Sequence, residues 1–205
     1  MIKGENEFMT DVLFYQNYTY VADISAIVLC IICWLLLHSS YAVREKSLVI
    51  FKAGTVCLMM ATVCSISFHT VIARITESRK VLIYVLQDGI YLFLILTFVL
   101  LCNYFGALLK LEERPARLLG AVSWGGYAVF AFLEIGSPFT HLGFYIDADL
   151  MVHQNFYFEP FRFAYIYYCI VLAVVLFTYR KRFVLKMLRC LVYILLFSFG
   201  MIALE

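Results

Sequence analysis

Charge is scarce in this sequence. Charged residues make up 15% of the chain and hydrophobic ones 64%, with a mean hydropathy of +0.91. A soluble domain carries about 25% charged residues and roughly half apolar ones, so an ordinary water-soluble globule is excluded. Proline is nearly missing as well, with 3 in 205 residues, and little in the chain would interrupt long helices. The first residues carry Glu5, Glu7 and Asp11 against Lys3. The basic segment that opens a signal peptide is therefore lacking. No run of like charge resembles a nucleic-acid-binding tail, and a net charge of +2 points to no partner of opposite sign.

Catalytic signatures are missing too. There is no Walker A loop, no GxSxG, no HExxH and no glycine-rich nucleotide fingerprint, so no catalytic residue and no cofactor is assigned. His141 and His153 have acidic neighbours but match no zinc spacing. His38 and His69 fall at opposite ends of their segments and cannot share one haem, so no metal ligand is assigned. The seven cysteines lie within apolar runs. Cys30 and Cys33 form a CxxC in mid-run, away from the helix N-termini and cations that lower a thiol pKa; they read as small apolar residues. No disulfide is expected. Asn17-Tyr18-Thr19 matches a glycosylation triplet that arises readily by chance.

What is present is long apolar runs. A helix needs about 20 mostly apolar residues to cross roughly 30 Å of hydrocarbon. The runs fall near 24–43, 53–73, 81–109, 118–135, 163–179 and 183–204. Their continuity favours helices over the alternating ten-residue segments of a membrane barrel. The expected fold is all-α, a polytopic transmembrane bundle of six spans over 23–205, preceded by an extracellular segment 1–22. An aromatic outer loop, 136–162, is the longest connection.

Orientation follows from basic residues, which favour the cytoplasmic side. Arg44, Lys46, Lys52, Lys110, Arg114, Arg117, Arg180, Lys181, Arg182, Lys186 and Arg189 fall on one side, against Lys3, Arg74, Arg79, Lys80 and Arg162 on the other. The N-terminus is placed outside, in a multi-pass cell-membrane protein. Arg74, Arg79 and Lys80 run against this local rule. Pro115 suits the first turn of the fourth span, and Pro138 and Pro160 bracket the outer loop. Ending a sixth span at Leu204-Glu205 leaves no flanking segment, which suggests a piece of a longer chain.

The few intramembrane polar groups collect toward the outer side. Asp88 lies about 12 Å into the third span at ~1.5 Å per residue. A charge at mid-membrane costs at least about 2.5–3.5 kcal/mol, so it is expected to face the bundle interior or a wet cavity. One reading is an outward-facing polar cavity rimmed by Asp23, His69, Asp88, Glu134 and Arg162. The other is a satisfied carboxylate that fixes helix packing. The outer loop interleaves Phe139, Phe144, Tyr145, Phe156, Tyr157, Phe158, Phe161 and Phe163 with Asp147, Asp149 and Glu159. It suits a lid over a small-molecule pocket or an aromatic belt in the membrane interface. The candidate ligand-binding residues are His69, Asp88, Tyr91, Glu134, Tyr145, Asp147 and Arg162.

"LQDGIYLFLILTFVLLCNYFGALLKL" and "GFYIDADLMVHQNFYF", the latter leading into "YIYYCIVLAVVLFTYRKR", carry a resemblance. In the first, a small polar residue precedes a Tyr, with a second Tyr near the inner end: Asp88, Tyr91 and Tyr104. In the second, an aromatic-x-Asp loop leads into an aromatic-rich span ending in a basic cluster. The chain resembles the N-terminal multi-spanning input region (7TM-like) of bacterial signalling proteins that carry GGDEF (diguanylate cyclase) or EAL (phosphodiesterase) domains, or of related histidine kinases. It has Asp88 where many members have Asn. The resemblance implies a non-enzymatic sensory module that regulates a cytoplasmic cyclic-di-GMP effector lying beyond this chain. The partners implied are the lipid bilayer, a small-molecule ligand of unknown kind and, in some cases, a second copy in a homodimer. The alternatives are a small-molecule or ion transporter, which Asp88 would also suit, and a non-catalytic membrane anchor.

Overall fold

A computed structural model describes residues 21, 23–32, 34–35, 46–141, 143–147, 150–154 and 160–182. The N-terminal segment, the second half of the first expected span with Cys33 and His38, and the whole sixth span with Lys186, Arg189 and Cys190 lie outside the described residues. So do Asp149, Glu159 and the aromatic run 156–158 of the outer loop.

The described chain is built from helices: α1 Asp23–Ile32, α2 Lys46–Ile72, α3 Lys80–Leu108, α4 Glu113–Ile135, the single turn α5 Ser137–Thr140 and α6 Pro160–Thr178. Four of them, α2, α3, α4 and α6, are long and apolar enough to cross a membrane. They lie within a few residues of the second to fifth expected spans. The largest departure is α2, which begins at Lys46 rather than near Ala53. Hydropathy marks where hydrocarbon starts, and a helix continues into the interface wherever no Pro or Gly stops it.

Short connections make successive helices antiparallel. α2 packs on α3, and α3 and α4 both pack on α6. One end of the bundle gathers Ile72, Lys80, Ile135 and Pro160; the other gathers Lys46, Leu108, Glu113 and Thr178. The first is called the hairpin end, and the second the basic end.

Packing is inverted relative to a soluble bundle. Only 17–33% of each long apolar stretch is buried. Phe163, Ile166, Ile170, Val174 and Phe177 form an exposed apolar stripe down α6. That outer surface is matched to lipid tails rather than water. The core lies on the inner faces, where Ile95, Val99 and Cys102 of α3 meet Leu119 of α4 and Ala164, Tyr168 and Leu172 of α6. Three threonine hydroxyls in the spans bond within their own helix: Thr55 to Phe51 O (3.1 Å), Thr62 to Leu58 O (2.8 Å) and Thr97 to Phe93 O (2.9 Å). Each is satisfied without a neighbour, as a solvent free of hydrogen bonds demands.

Two tyrosines of α6 reach across to α4. Tyr167 Oη donates to Val122 O at 2.9 Å and Tyr168 Oη to Ser123 O at 2.7 Å. Gly126 lets Tyr167 approach: a Cβ there would lie 2.4 Å from Tyr167 Cε1. With its hydroxyl tied to α4, that ring cannot swing aside freely. The same close approach brings Gly89 of α3 against Cys64 Sγ of α2, with a Cβ distance of 3.2 Å. Small residues set interhelical distance in this way throughout membrane bundles.

The outer loop departs from the all-α expectation. Phe144–Ile146 (β1) and Val152–Gln154 (β2) pair antiparallel, with Tyr145 opposite His153. Pro138 sits in the first turn of α5 and Pro160 opens α6, so both prolines start helices while the hairpin forms between them.

Gly126→Ala is expected to destabilise the bundle by about 1–3 kcal/mol through overpacking. Gly120→Ala and Gly125→Ala, where an added Cβ meets nothing within 4 Å, are expected to be neutral or to stabilise by up to ~1 kcal/mol. Thermal denaturation of the detergent-solubilised variants distinguishes them.

Candidate functional site at the hairpin end

The hairpin is closed by Asp147. Its amide donates to Met151 O (3.1 Å), and its Oδ1 accepts from Met151 N (2.8 Å). Its Oδ2 lies 3.0 Å from His153 Nε2. In the turn Leu150 takes a left-handed backbone, φ 60°. The ring of Tyr145 stacks on His153, with centroids 4.8 Å apart and planes 15° from parallel, and His141 meets Tyr145 edge-on at 4.6 Å. Strand alternation turns Phe144 and Ile146 the other way, into an apolar cluster with Phe68 of α2 and Ile83 of α3. Phe144 meets both Phe68 and Tyr84 edge-on.

The hairpin is fastened to α3 by polar groups. Tyr84 Oη accepts from Ile146 N at 2.7 Å and donates to Ile146 O at 3.4 Å. Lys80 Nζ donates to Asp147 O at 2.9 Å. One phenol thus meets both backbone groups of a residue 5% exposed, which would otherwise need water. Ser137 Oγ, buried beside the hairpin, donates to Phe144 O at 3.3 Å.

Lys80, Tyr84, Asp88 and Tyr91 lie at spacings of four, four and three, so they share one face of α3. Continued inward, that face carries Ile95, Val99 and Cys102, all fully buried. Asp88, half-buried, therefore lies on the bundle side, one turn below the Tyr84 tie. One further turn on, Tyr91 stacks on Phe161 of α6 at 4.9 Å and 17°. The ring series continues inward through Phe161–Tyr165, Tyr165–Phe98 and Phe98–Tyr168.

The other expected site residues stand on other elements. His69 stands on α2 one turn from Ser65, whose Oγ donates to Asp23 Oδ2 at 2.8 Å, so Asp23 and Ser65 join α1 to α2. Glu134 is 2% exposed at the end of α4, before α5. Arg162 is half-buried in the first turn of α6. The five residues of the expected polar rim thus stand on five different helices: Asp23 on α1, His69 on α2, Asp88 on α3, Glu134 on α4 and Arg162 on α6. Phe144 and Ile146 occupy the space above α2 and α3. A cavity of about 630 Å³ at this end is lined by Thr70, Arg74, Arg79 and apolar neighbours, and by none of the seven candidates.

Tyr84, Lys80 and His153 were not among those candidates. The signal for the first two was the stripe itself, two further polar residues at helical spacing ahead of Asp88. Among the described residues, no group of three or more His, Cys, Asp or Glu could hold a metal ion. What the site offers is aromatic faces, one half-buried carboxylate and a hairpin whose position depends on two side chains of α3. No family model, no curated protein and no solved structure matches the chain.

Tyr84→Phe keeps the ring packing and removes both hydrogen bonds to Ile146. Leaving that amide unmet costs about 1–3 kcal/mol. Hydrogen exchange at the hairpin is expected to accelerate roughly tenfold for ~1.4 kcal/mol, with exchange in the middle of α3 unchanged. Equal acceleration in both places would mean that the hairpin is not a separately opening unit.

Proposed function

We propose that this chain is the membrane-embedded sensory input module of a bacterial signalling protein. Its N-terminus is outside, and it regulates a cytoplasmic cyclic-di-GMP (GGDEF or EAL) or kinase effector that follows in the parent protein. The observation that carries the reading is the hydrogen-bonded seam between the hairpin and α3. A ligand that binds one arrangement of the hairpin better than another shifts the population of that arrangement. Through Tyr84 and Lys80 the shift bears directly on α3, a single 29-residue helix that runs the full depth of the bundle. Asp88 and Tyr91, just below the seam, are the groups a small polar or aromatic ligand would meet next.

The division of basic residues supports the orientation. Lys46, Lys52, Lys110, Arg114, Arg117 and the Arg180–Arg182 turn all fall at the basic end, as expected of a cytoplasmic face.

The parent reading frame is the first test: a further span and a GGDEF, EAL or kinase domain are expected after Glu205, and a stop codon there overturns the proposal. In the intact parent, Tyr84→Phe is expected to change effector output at least about threefold, with the protein still present in the membrane at its usual level. Unchanged output would remove the seam from the mechanism. Solute uptake by proteoliposomes that Asp88→Asn abolishes would favour a transporter instead. For orientation, a cysteine at Lys3 is expected to react with an impermeant maleimide in intact cells. One at Glu112 should react only after permeabilisation; the reverse pattern inverts the bundle.

A further inference from the structure

A second cavity, of about 580 Å³, lies at the opposite end between α2, α3 and α4. Its rim carries Lys46, the first residue of α2, and Lys110, just past the end of α3. Antiparallel packing brings these two residues to the same end of the bundle, on one cavity. Lys110 takes a left-handed backbone, φ 47°, as the chain turns toward α4. Among the described residues, neither lysine is in an ion pair. Glu113, at the start of α4, is taken up by Arg117 at 2.7 Å.

Deeper in, the lining changes character. Asn103 lines the cavity and donates one Nδ2–H to Val99 O (3.0 Å) within its own helix. Ile50, Leu100 and Leu119 make up the inner wall. Ile50 lies one turn below Lys46, and Leu100 about 12 Å above the end of α3 at ~1.5 Å per residue. The cavity therefore runs from two cations at the membrane surface to hydrocarbon at acyl-chain depth.

We infer that this cavity is a binding site for one anionic phospholipid, its phosphate held between Lys46 and Lys110 and the start of an acyl chain laid against Ile50, Leu100 and Leu119. Charge complementarity selects the headgroup, since basic pockets between spanning helices are matched to anionic lipid heads. The graded lining selects a lipid over a soluble anion. A free phosphate would use only the rim, leaving the apolar wall and most of the volume without a role. The site is independent of the sensory reading, because neither lysine takes part in the hairpin seam.

The test uses the full chain in nanodiscs of phosphatidylcholine doped with phosphatidylglycerol, with lipid retained by the protein counted by native mass spectrometry. The unaltered protein is expected to hold one phosphatidylglycerol in preference to phosphatidylcholine. Each of Lys46→Gln and Lys110→Gln is expected to weaken that preference roughly fivefold, the factor for about one basic residue at an anionic surface. Lys181→Gln, at the same end but outside the cavity, should leave it unchanged. Ala107→Leu keeps both lysines but fills the cavity from α3, and should also weaken retention. Lys46→Arg should preserve it and shows that the fold tolerates change at the rim. Equal loss with Lys181→Gln would mean general surface attraction and overturn the site. So would full retention in Ala107→Leu, or displacement of the lipid by millimolar inorganic phosphate.

Discussion

Hydrocarbon offers no hydrogen bonds, and the structure is arranged around that fact. Backbone groups in the spans are satisfied by helix, and the hydroxyls of Thr55, Thr62 and Thr97 by carbonyls one turn back in the same helix. Burial of apolar surface cannot drive these helices together, because lipid is as apolar as their faces. Association rests on close approach and a few bonds across helices. Gly126 admits Tyr167, and the tyrosine hydroxyls of α6 reach Val122 and Ser123 carbonyls of α4. Contact and hydrogen bond reinforce one another there, since the glycine that allows the approach also lets the ring rest against α4.

The same constraint explains where irregular structure occurs. The hairpin lies at an end of the bundle, where water can serve the groups it leaves open. Where it dips against α2 and α3 it presents Phe144 and Ile146, and the backbone N–H and C=O of Ile146 are both met by Tyr84. Tyrosine suits this task because a single hydroxyl both accepts and donates. A phenylalanine would fill the same volume and leave two polar groups stranded.

Span positions were legible in the sequence because hydropathy is a one-dimensional signal that solvent reads residue by residue. The third span, expected at 81–109, is Lys80–Leu108. The start of α2 was not legible, since a helix can run on past the apolar boundary that was counted. The hairpin was hidden for a different reason: its strands are three residues each, too short for alternation to stand out beside so many aromatics. The placing of Asp88 and Tyr91 on one face followed from spacing alone. That Lys80 and Tyr84 belong to the same stripe was equally available, but a lysine at a span end reads as a topology marker and a tyrosine as an interfacial anchor. Lys46 and Lys110 were passed over in the same way, counted for orientation while their placing on one cavity depended on packing that spacing does not show.

The two ends of α3 obey different mechanical rules. Through its middle, Ile95, Val99 and Cys102 are fully enclosed, and close-packed interiors transmit displacement rather than absorb it. At the hairpin end the helix is held by hydrogen bonds from Lys80 and Tyr84 to the hairpin backbone. At the basic end it borders a cavity of about 580 Å³, so a tilt begun at the hairpin has room to be taken up there. Any group occupying that cavity stiffens the end toward which motion would run. Linkage then makes the influence mutual: whatever the cavity's occupant does to the hairpin equilibrium, the hairpin does to the occupant's affinity. On the proposed sensory reading, a helix tied at one end and bordered by a cavity at the other would act as a lever whose resistance is set by what fills the space beside it.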